Sequence, residues 1–279
     1  EVLVSPVMEA CPTDNKEKAM SLLHSFYCWG HVGVVLCSTI YFRIFGIGSW
    51  KAMALIWAVI PLLNTFVFAK VPIAPLTPEN ETGLTIKALF SKRIFWILML
   101  MMVCAGACEQ SVSQWASTFA EKGLGVSKTV GDLAGPMAFA VLMGTSRAFY
   151  GRFGHKINLE RFMIYSGILC ILSYLCISLL QVPVLGLAGC ALCGLSVGIL
   201  WPATFSMAAA SVKRGGTAMF AFLALAGDLG CSGGPTLVGV VSGYFGDDLR
   251  KGILAAVVFP VLLLLGIMGS RKSKTGLAV

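Results

Sequence analysis

Apolar residues in this chain come in long runs, not in the alternation of a half-buried strand or the narrow stripe of a surface helix. Ser21–Phe42 is broken only by His24 and His31, and Trp50–Ala69 only by residues such as Pro61 and Asn64. Further runs follow at Ile94–Phe119, Val130–Tyr150, Phe162–Leu180, Pro183–Ala210, Gly216–Gly243 and Gly252–Gly269. About twenty apolar residues in a helix cross the hydrocarbon core of a bilayer. The pattern therefore predicts an all-α membrane protein with about eight transmembrane helices. Glu1–Ala10, ended by Pro6 and Pro12, reads as the last turns of a helix that starts upstream. Between the runs lie a polar loop at Cys11–Ala19, a tight turn at Arg43–Ser49 and a long polar stretch at Lys70–Arg93. In that stretch Pro72, Pro75 and Pro78 exclude regular helix, and Glu79–Arg93 is predicted as a short amphipathic surface helix.

Composition supports the membrane reading. The chain is 57% hydrophobic and only 12% charged, against about 25% charged in soluble domains, and its mean hydropathy is +0.84. The net charge of +8 would suit nucleic acid or acidic lipid on a soluble surface. Here it is loop charge that sets topology, so no nucleic-acid partner is expected. Alternating the sides puts most Lys and Arg on one face, including the turn with Arg147, Arg152, Lys156 and Arg161 and the tail with Arg271, Lys272 and Lys274. That face is assigned to the cytoplasm, C-terminus included. The sequon Asn80-Glu-Thr82 falls on the same face and is discounted as a glycosylation site. Apart from Cys11, the ten cysteines sit inside apolar runs, where Cys acts as a small hydrophobe. Cys190 and Cys193 have metal-ligand spacing but no second Cys/His pair nearby, so neither metal nor cofactor is expected.

The turn Gly151-Arg-Phe-Gly-His155-Lys156 resembles the Gly-x-x-x-Asp-Arg/Lys loop of the major facilitator superfamily, with Gly151, Arg152, His155 and Lys156 at the motif positions. His155 stands where the acid is expected, and Asn158 where a later Gly would be. In that family the loop joins helices two and three and recurs between helices eight and nine. Taking Val130–Tyr150 as helix eight leaves three complete helices before it and four after it. The resemblance then implies that residues 1–69 hold the end of helix four and helices five and six. Residues 70–93 would be the cytoplasmic inter-bundle loop, 94–270 the C-terminal six-helix bundle and 271–279 a cytoplasmic tail. It implies a multi-pass, monomeric protein of the plasma membrane that moves a small polar solute by alternating access, driven by a proton or sodium gradient. An integral-membrane enzyme and a transporter-fold receptor or sensor are the competing classes. No His/Asp/Glu cluster or nucleophile–base pair supports the first.

Charged residues inside a span cost about 2.5–3.5 kcal/mol on insertion scales and usually have a role. Glu109 and Asp228 are the two acids so placed, while every basic residue is expected at loops or span ends. Gly106, Glu109, Gln110, Ser113 and Ser117 form one small, polar helical stripe flanked by Gln114 and Trp115. Such a stripe suits either a polyhydroxylated solute or a polar helix–helix contact. Asp228 and Ser232 share a face in a Gly-rich, apolar setting that would raise the carboxyl pKa. This makes Asp228 the candidate coupling acid, with a structural hydrogen bond as the alternative. In Gly194-Leu-Ser-Val-Gly198-Ile-Leu-Trp201-Pro202, Pro202 frees a backbone carbonyl within a span, which is tolerated only inside protein or at a cavity. Trp201 joins the candidate solute contacts there. His24, Tyr27 and His31 share a face of Ser21–Phe42, which suits a pH-responsive or solute-contacting role, with His31 the candidate contact, or polar packing between helices. The Gly194–Pro202 segment, with Glu109-Gln110…Gln114-Trp115 and Gly227-Asp228-Leu229-Gly230, is similar to the sugar-transporting, fucose-permease-like branch of the family.

Overall fold

The computed structural model describes residues 3–73, 76, 83–124 and 127–275. The described residues form helices α1 (Val4–Ala10), α2 (Lys16–Phe45), α3 (Trp50–Phe68), α4 (Ile86–Phe90), α5 (Arg93–Ser113), α6 (Ala116–Leu124) and α7 (Lys128–Asp132). They continue with α8 (Ala138–Phe153), α9 (Leu159–Leu179), α10 (Pro183–Val197), α11 (Leu200–Ser211), α12 (Gly216–Tyr244), α13 (Leu249–Ala255) and α14 (Val258–Thr275). Seven helical stretches among them are long and apolar enough to cross a membrane. An eighth runs from α7 through a π-helical turn at Leu133–Met137 into α8 and packs among the others. The turn contains Pro136, and a widened turn is one way a helix accommodates the missing donor.

Several expected spans prove to be two helices each. Ile94–Phe119 is parted at Gln114–Trp115 into α5 and α6, and Pro183–Ala210 at Gly198–Ile199 into α10 and α11. The last span starts earlier than expected, at Leu249, and is parted at Ala256–Val257 into α13 and α14. Pro202 and Pro260 lie four residues beyond Gly198 and Ala256 and remove those carbonyls' intrahelical donors, which places the second and third breaks. Of the surface helix expected at Glu79–Arg93, only the one-turn α4 is formed among the described residues, with Thr85 as its N-cap; the sequon lies outside them.

Caps set the ends of two long helices. Asn15 opens α2 by accepting from the Lys18 N–H, and Asn158 opens α9 by accepting from that of Arg161. The expected loop glycine is thus replaced by a residue that starts the next helix. Bonds at one end of the bundle join Tyr150 to Glu17, Leu84 N–H to the Arg214 carbonyl, and Arg271 to Glu160. Turns at Gly46–Ser49, Gln181–Val182 and Phe245–Asp248 lie at the opposite end.

The core is centred on α5, which packs most extensively on α12 and is also flanked by α10, α11 and α14. Backbones approach closely along the α5–α12 seam. A Cβ on Gly230 would lie 1.9 Å from the Val103 carbonyl oxygen, and one on Gly106 2.2 Å from that of Gly227. α2 lies along α8, and α3 runs beside it with only Met53 buried.

Candidate functional site

Arg147 organises the site. It lies in α8, six residues before the helix ends at Phe153, a rise of about 9 Å, and it is 2% exposed. The expectation that every basic residue sits at a loop or span end therefore fails here. The side chain reaches inward, not along the helix to water. Its Nη2 donates to Glu109 Oε2 at 3.1 Å, and Nε to the Gly198 carbonyl at 2.7 Å. Nη1 donates to the His24 carbonyl at 2.9 Å and contacts Cys28 Sγ at 3.3 Å. The guanidinium also stands 5.7 Å from the centre of the Tyr27 ring, in cation–π range. One side chain thus joins α2, α5, α8 and the break between α10 and α11.

Two observations explain why a charge is stable there. Glu109 is 6% exposed and paired with Arg147, and a buried charge persists where it is paired and hydrogen-bonded. Pro202 leaves the Gly198 carbonyl without its intrahelical donor, and Arg147 Nε takes that place. The freed carbonyl expected from the sequence is present, and it has a partner.

A small cavity of about 40 Å³ lies beside this pair, lined by Tyr27, Glu109, Gln110, Arg147, Trp201, Asp228 and Cys231. That is room for water, which needs about 10–15 Å³ on this measure. Gln110 Nε2 stands 3.5 Å from Glu109 Oε1. Trp201 is 5% exposed, its ring lies against Gly227, and its indole N–H is buried without a hydrogen-bond partner. An unpartnered donor in such a place costs about 1–3 kcal/mol, so it is a group that gains from an acceptor arriving.

The structure divides the predicted residues among several places. Glu109, Gln110, Trp201 and Asp228 come together, from α5, α11 and α12. Asp228 departs from expectation: it is exposed, not buried in an apolar setting. Its neighbours Gly227 and Gly230 make the contact with α5, which turns the carboxylate away from that seam. Ser232 Oγ donates to the Asp228 backbone carbonyl at 3.0 Å, not to the carboxylate. Gln114 and Trp115 lie apart, in a recess of about 580 Å³ with Ser232, Pro235 and Thr236, where Trp115 Nε1 donates to the Pro235 carbonyl at 3.2 Å. Ser113 is buried on α5 but lines neither space. Ser117 bonds to Glu121 and Asp132.

His31 is half-buried against Tyr27, with ring centres 6.4 Å apart, and does not reach the cavity. His24 faces inward, with Nε2 3.1 Å from Ser5 Oγ and its ring stacked on Phe205. Sequence reading missed Arg147 and Cys231 as cavity residues; Tyr27, on the α2 face for which solute contact was one reading, does line the cavity. The signal for Arg147 was its depth before the helix end.

The loop motif is a packed turn with exposed charges. Gly151 lies against Leu22 and Gly154 against Lys18 and Tyr150, and the Tyr150 hydroxyl donates to Glu17 Oε2 at 2.9 Å. Arg152, His155 and Lys156 are exposed, so the turn is held by its small residues and by Tyr150 while its cations face outward.

Broken, membrane-length helices gathered around a polar cavity are an arrangement that polytopic solute carriers use. Residues 4–235 match the description of the Major Facilitator Superfamily, and the chain belongs to that family. It is therefore a transporter by family. Among solved structures it is similar to the transporter FucP in the outward conformation, with a TM-score of 0.74 and 13% identity over 97% of this chain and 72% of that one. A variant of the Escherichia coli fucose:proton symporter FucP gives a TM-score of 0.78 and 13% identity over 97% of this chain and 73% of that one. At that identity the likeness is one of fold. No curated protein sequence matches the chain.

Proposed function

We propose that this protein is a secondary transporter that moves a small polar solute, most simply a sugar, across the plasma membrane by alternating access, driven by a cation gradient. The observation that carries the reading is the buried Glu109–Arg147 pair facing a cavity with Gln110, Trp201 and Asp228. Carboxylate, amide and guanidinium groups bond to hydroxyls in both directions, and the indole offers an apolar face with a spare donor. The likeness in fold to a fucose:proton symporter agrees with this solute class. Between proton and sodium, the proton is favoured. A guanidinium and an indole N–H at the cavity disfavour a hard cation that seeks oxygen ligands.

On this reading residues 1–69 belong to the first bundle, 70–93 connect the bundles, 94–270 form the second and 271–279 are a tail. The end that carries Arg152, Lys156 and Arg271 faces the cytoplasm. The protein acts as a monomer. The test is uptake by the intact transporter in proteoliposomes of a labelled panel of hexoses, 6-deoxyhexoses and pentoses, beside amino acids, under imposed proton and sodium gradients. Gradient-dependent accumulation of a sugar is expected. Accumulation of an amino acid and of no sugar would overturn the solute assignment.

A further inference from the structure

We propose that Arg147 is a positioning residue that carries the state of Glu109 to the seam between α2 and α8. The inference rests on the reading above, in which the Glu109 carboxylate takes solute hydroxyls. α2 packs extensively on α8, through contacts that run from Glu17 to Trp29. Ser21 Oγ donates to the Arg147 carbonyl at 2.8 Å, and Cys28 and Trp29 lie against Gly144. Leu22 lies against Gly151, and Glu17 accepts from Tyr150. Beyond α8 the later part of α2 continues beside the π-helical turn and α7, next to a groove of about 850 Å³ lined by Val34, Ser38, Phe42, Thr129 and Pro136.

Within that seam, between the contacts of Gly144 and those of Tyr150, stands Arg147. Its Nη1 holds α2 through the His24 carbonyl and Cys28 Sγ, while Nη2 holds Glu109. A guanidinium is planar, so its donors cannot be re-aimed independently. A solute that draws the Glu109 carboxylate into the cavity must either pull the guanidinium with it or leave it unpaired. Either change disturbs the bonds to α2. Nε, bonded to Gly198, makes the α10–α11 break the third point that feels the shift. The site and the seam are therefore joined by one rigid group, not by a chain of soft contacts.

Cys28 reports on the seam. It is fully buried there, against Arg147 and Gly144, and maleimide reaches it only when water does. The experiment uses the intact transporter with Cys28 as its sole cysteine and measures the rate of labelling by N-ethylmaleimide in membranes. Glu109→Gln keeps the shape and removes the charge, and it is expected to speed labelling about threefold or more, the low end of coupling between contacting residues. Arg147→Lys keeps the charge but loses the fork and is expected to do the same. The double variant should label no faster than the faster single one, since both break one link. By contrast, Ser21→Ala weakens the seam outside that link, and its effect should multiply with that of Glu109→Gln.

A smaller change in Glu109→Gln, or effects of Glu109→Gln and Arg147→Lys that multiply, overturns the inference. Should Glu109→Gln fail to reach the membrane, Glu109→Asp takes its place with the same expectations. L-fucose uptake and L-fucose-stimulated labelling are measured in parallel on the parent. An opened seam in Glu109→Gln with no response to any sugar removes the solute assignment and leaves the link. Sugar transport with an unresponsive seam removes only the link.

Discussion

Arg147 supplies the donor that Pro202 cannot. The Gly198 carbonyl would accept from residue 202 in an unbroken helix; instead Arg147 Nε sits 2.7 Å from it. Pro202→Ala restores a donor to the first turn of α11 and allows α10 and α11 to join. Detergent-solubilised Pro202→Ala should melt no lower than the parent, yet transport more slowly, because Arg147 then competes for its anchor. Lower melting with normal transport would mean that the break is merely tolerated.

Glu109 and Arg147 should show strong energetic coupling. Removing one partner of a buried pair costs about 3–5 kcal/mol, because the other charge is left unmatched. Glu109→Ala and Arg147→Met should each lower thermal stability sharply, and the double variant should be less destabilised than the sum of the two. Additive losses would show that the pair is not held together in the membrane.

Two glycines three residues apart in α12 should respond in opposite ways. A methyl at Gly230 meets the Val103 carbonyl at 1.9 Å, whereas Gly233 has no atom within 4 Å of the same position. Gly230→Ala should cost about 1–3 kcal/mol or more and reduce folded protein in the membrane. Gly233→Ala should be silent in expression and melting temperature.

Asp228 is expected to govern accumulation, not recognition. Asp228→Asn should abolish gradient-driven accumulation while solute counterflow persists, at equal membrane abundance. Normal accumulation would leave Asp228 a wall residue of the cavity and assign coupling to another acid.

Arg152 is exposed on a packed turn, far along α8 from the cavity. Arg152→Ala should slow transport while solute affinity stays within about threefold of the parent, under 1 kcal/mol. Loss of binding together with rate would place the turn in direct contact with the solute.

The spans could be read from the sequence because apolar length alone decides them, and the freed carbonyl at Gly198 because proline acts within its own helix. Rotation about the helix axis was harder. The stripe from Gly106 to Ser117 was visible as a stripe, but nothing local said that Gly106 would meet Gly227 while Glu109 turned to Arg147. Asp228 was placed at the right depth and the wrong exposure for the same reason: the glycines beside it chose the packed face. Arg147 was grouped with its neighbours in the basic turn because a linear reading measures distance to the loop and not the reach of a guanidinium. The turn at Gln114–Trp115 has neither Gly nor Pro to announce it.

The bond from Arg147 to Gly198 also constrains how this protein can change over generations. With Pro202 in place, replacing Arg147 strands a carbonyl within the membrane and leaves Glu109 unmatched, so that substitution is closed as a first step. Replacing Pro202 first heals the helix and frees Arg147 from one of its three anchoring roles. A lineage drifting away from this arrangement therefore loses the proline before the arginine, and aligned descendants should contain the arginine without the proline far more often than the proline without the arginine.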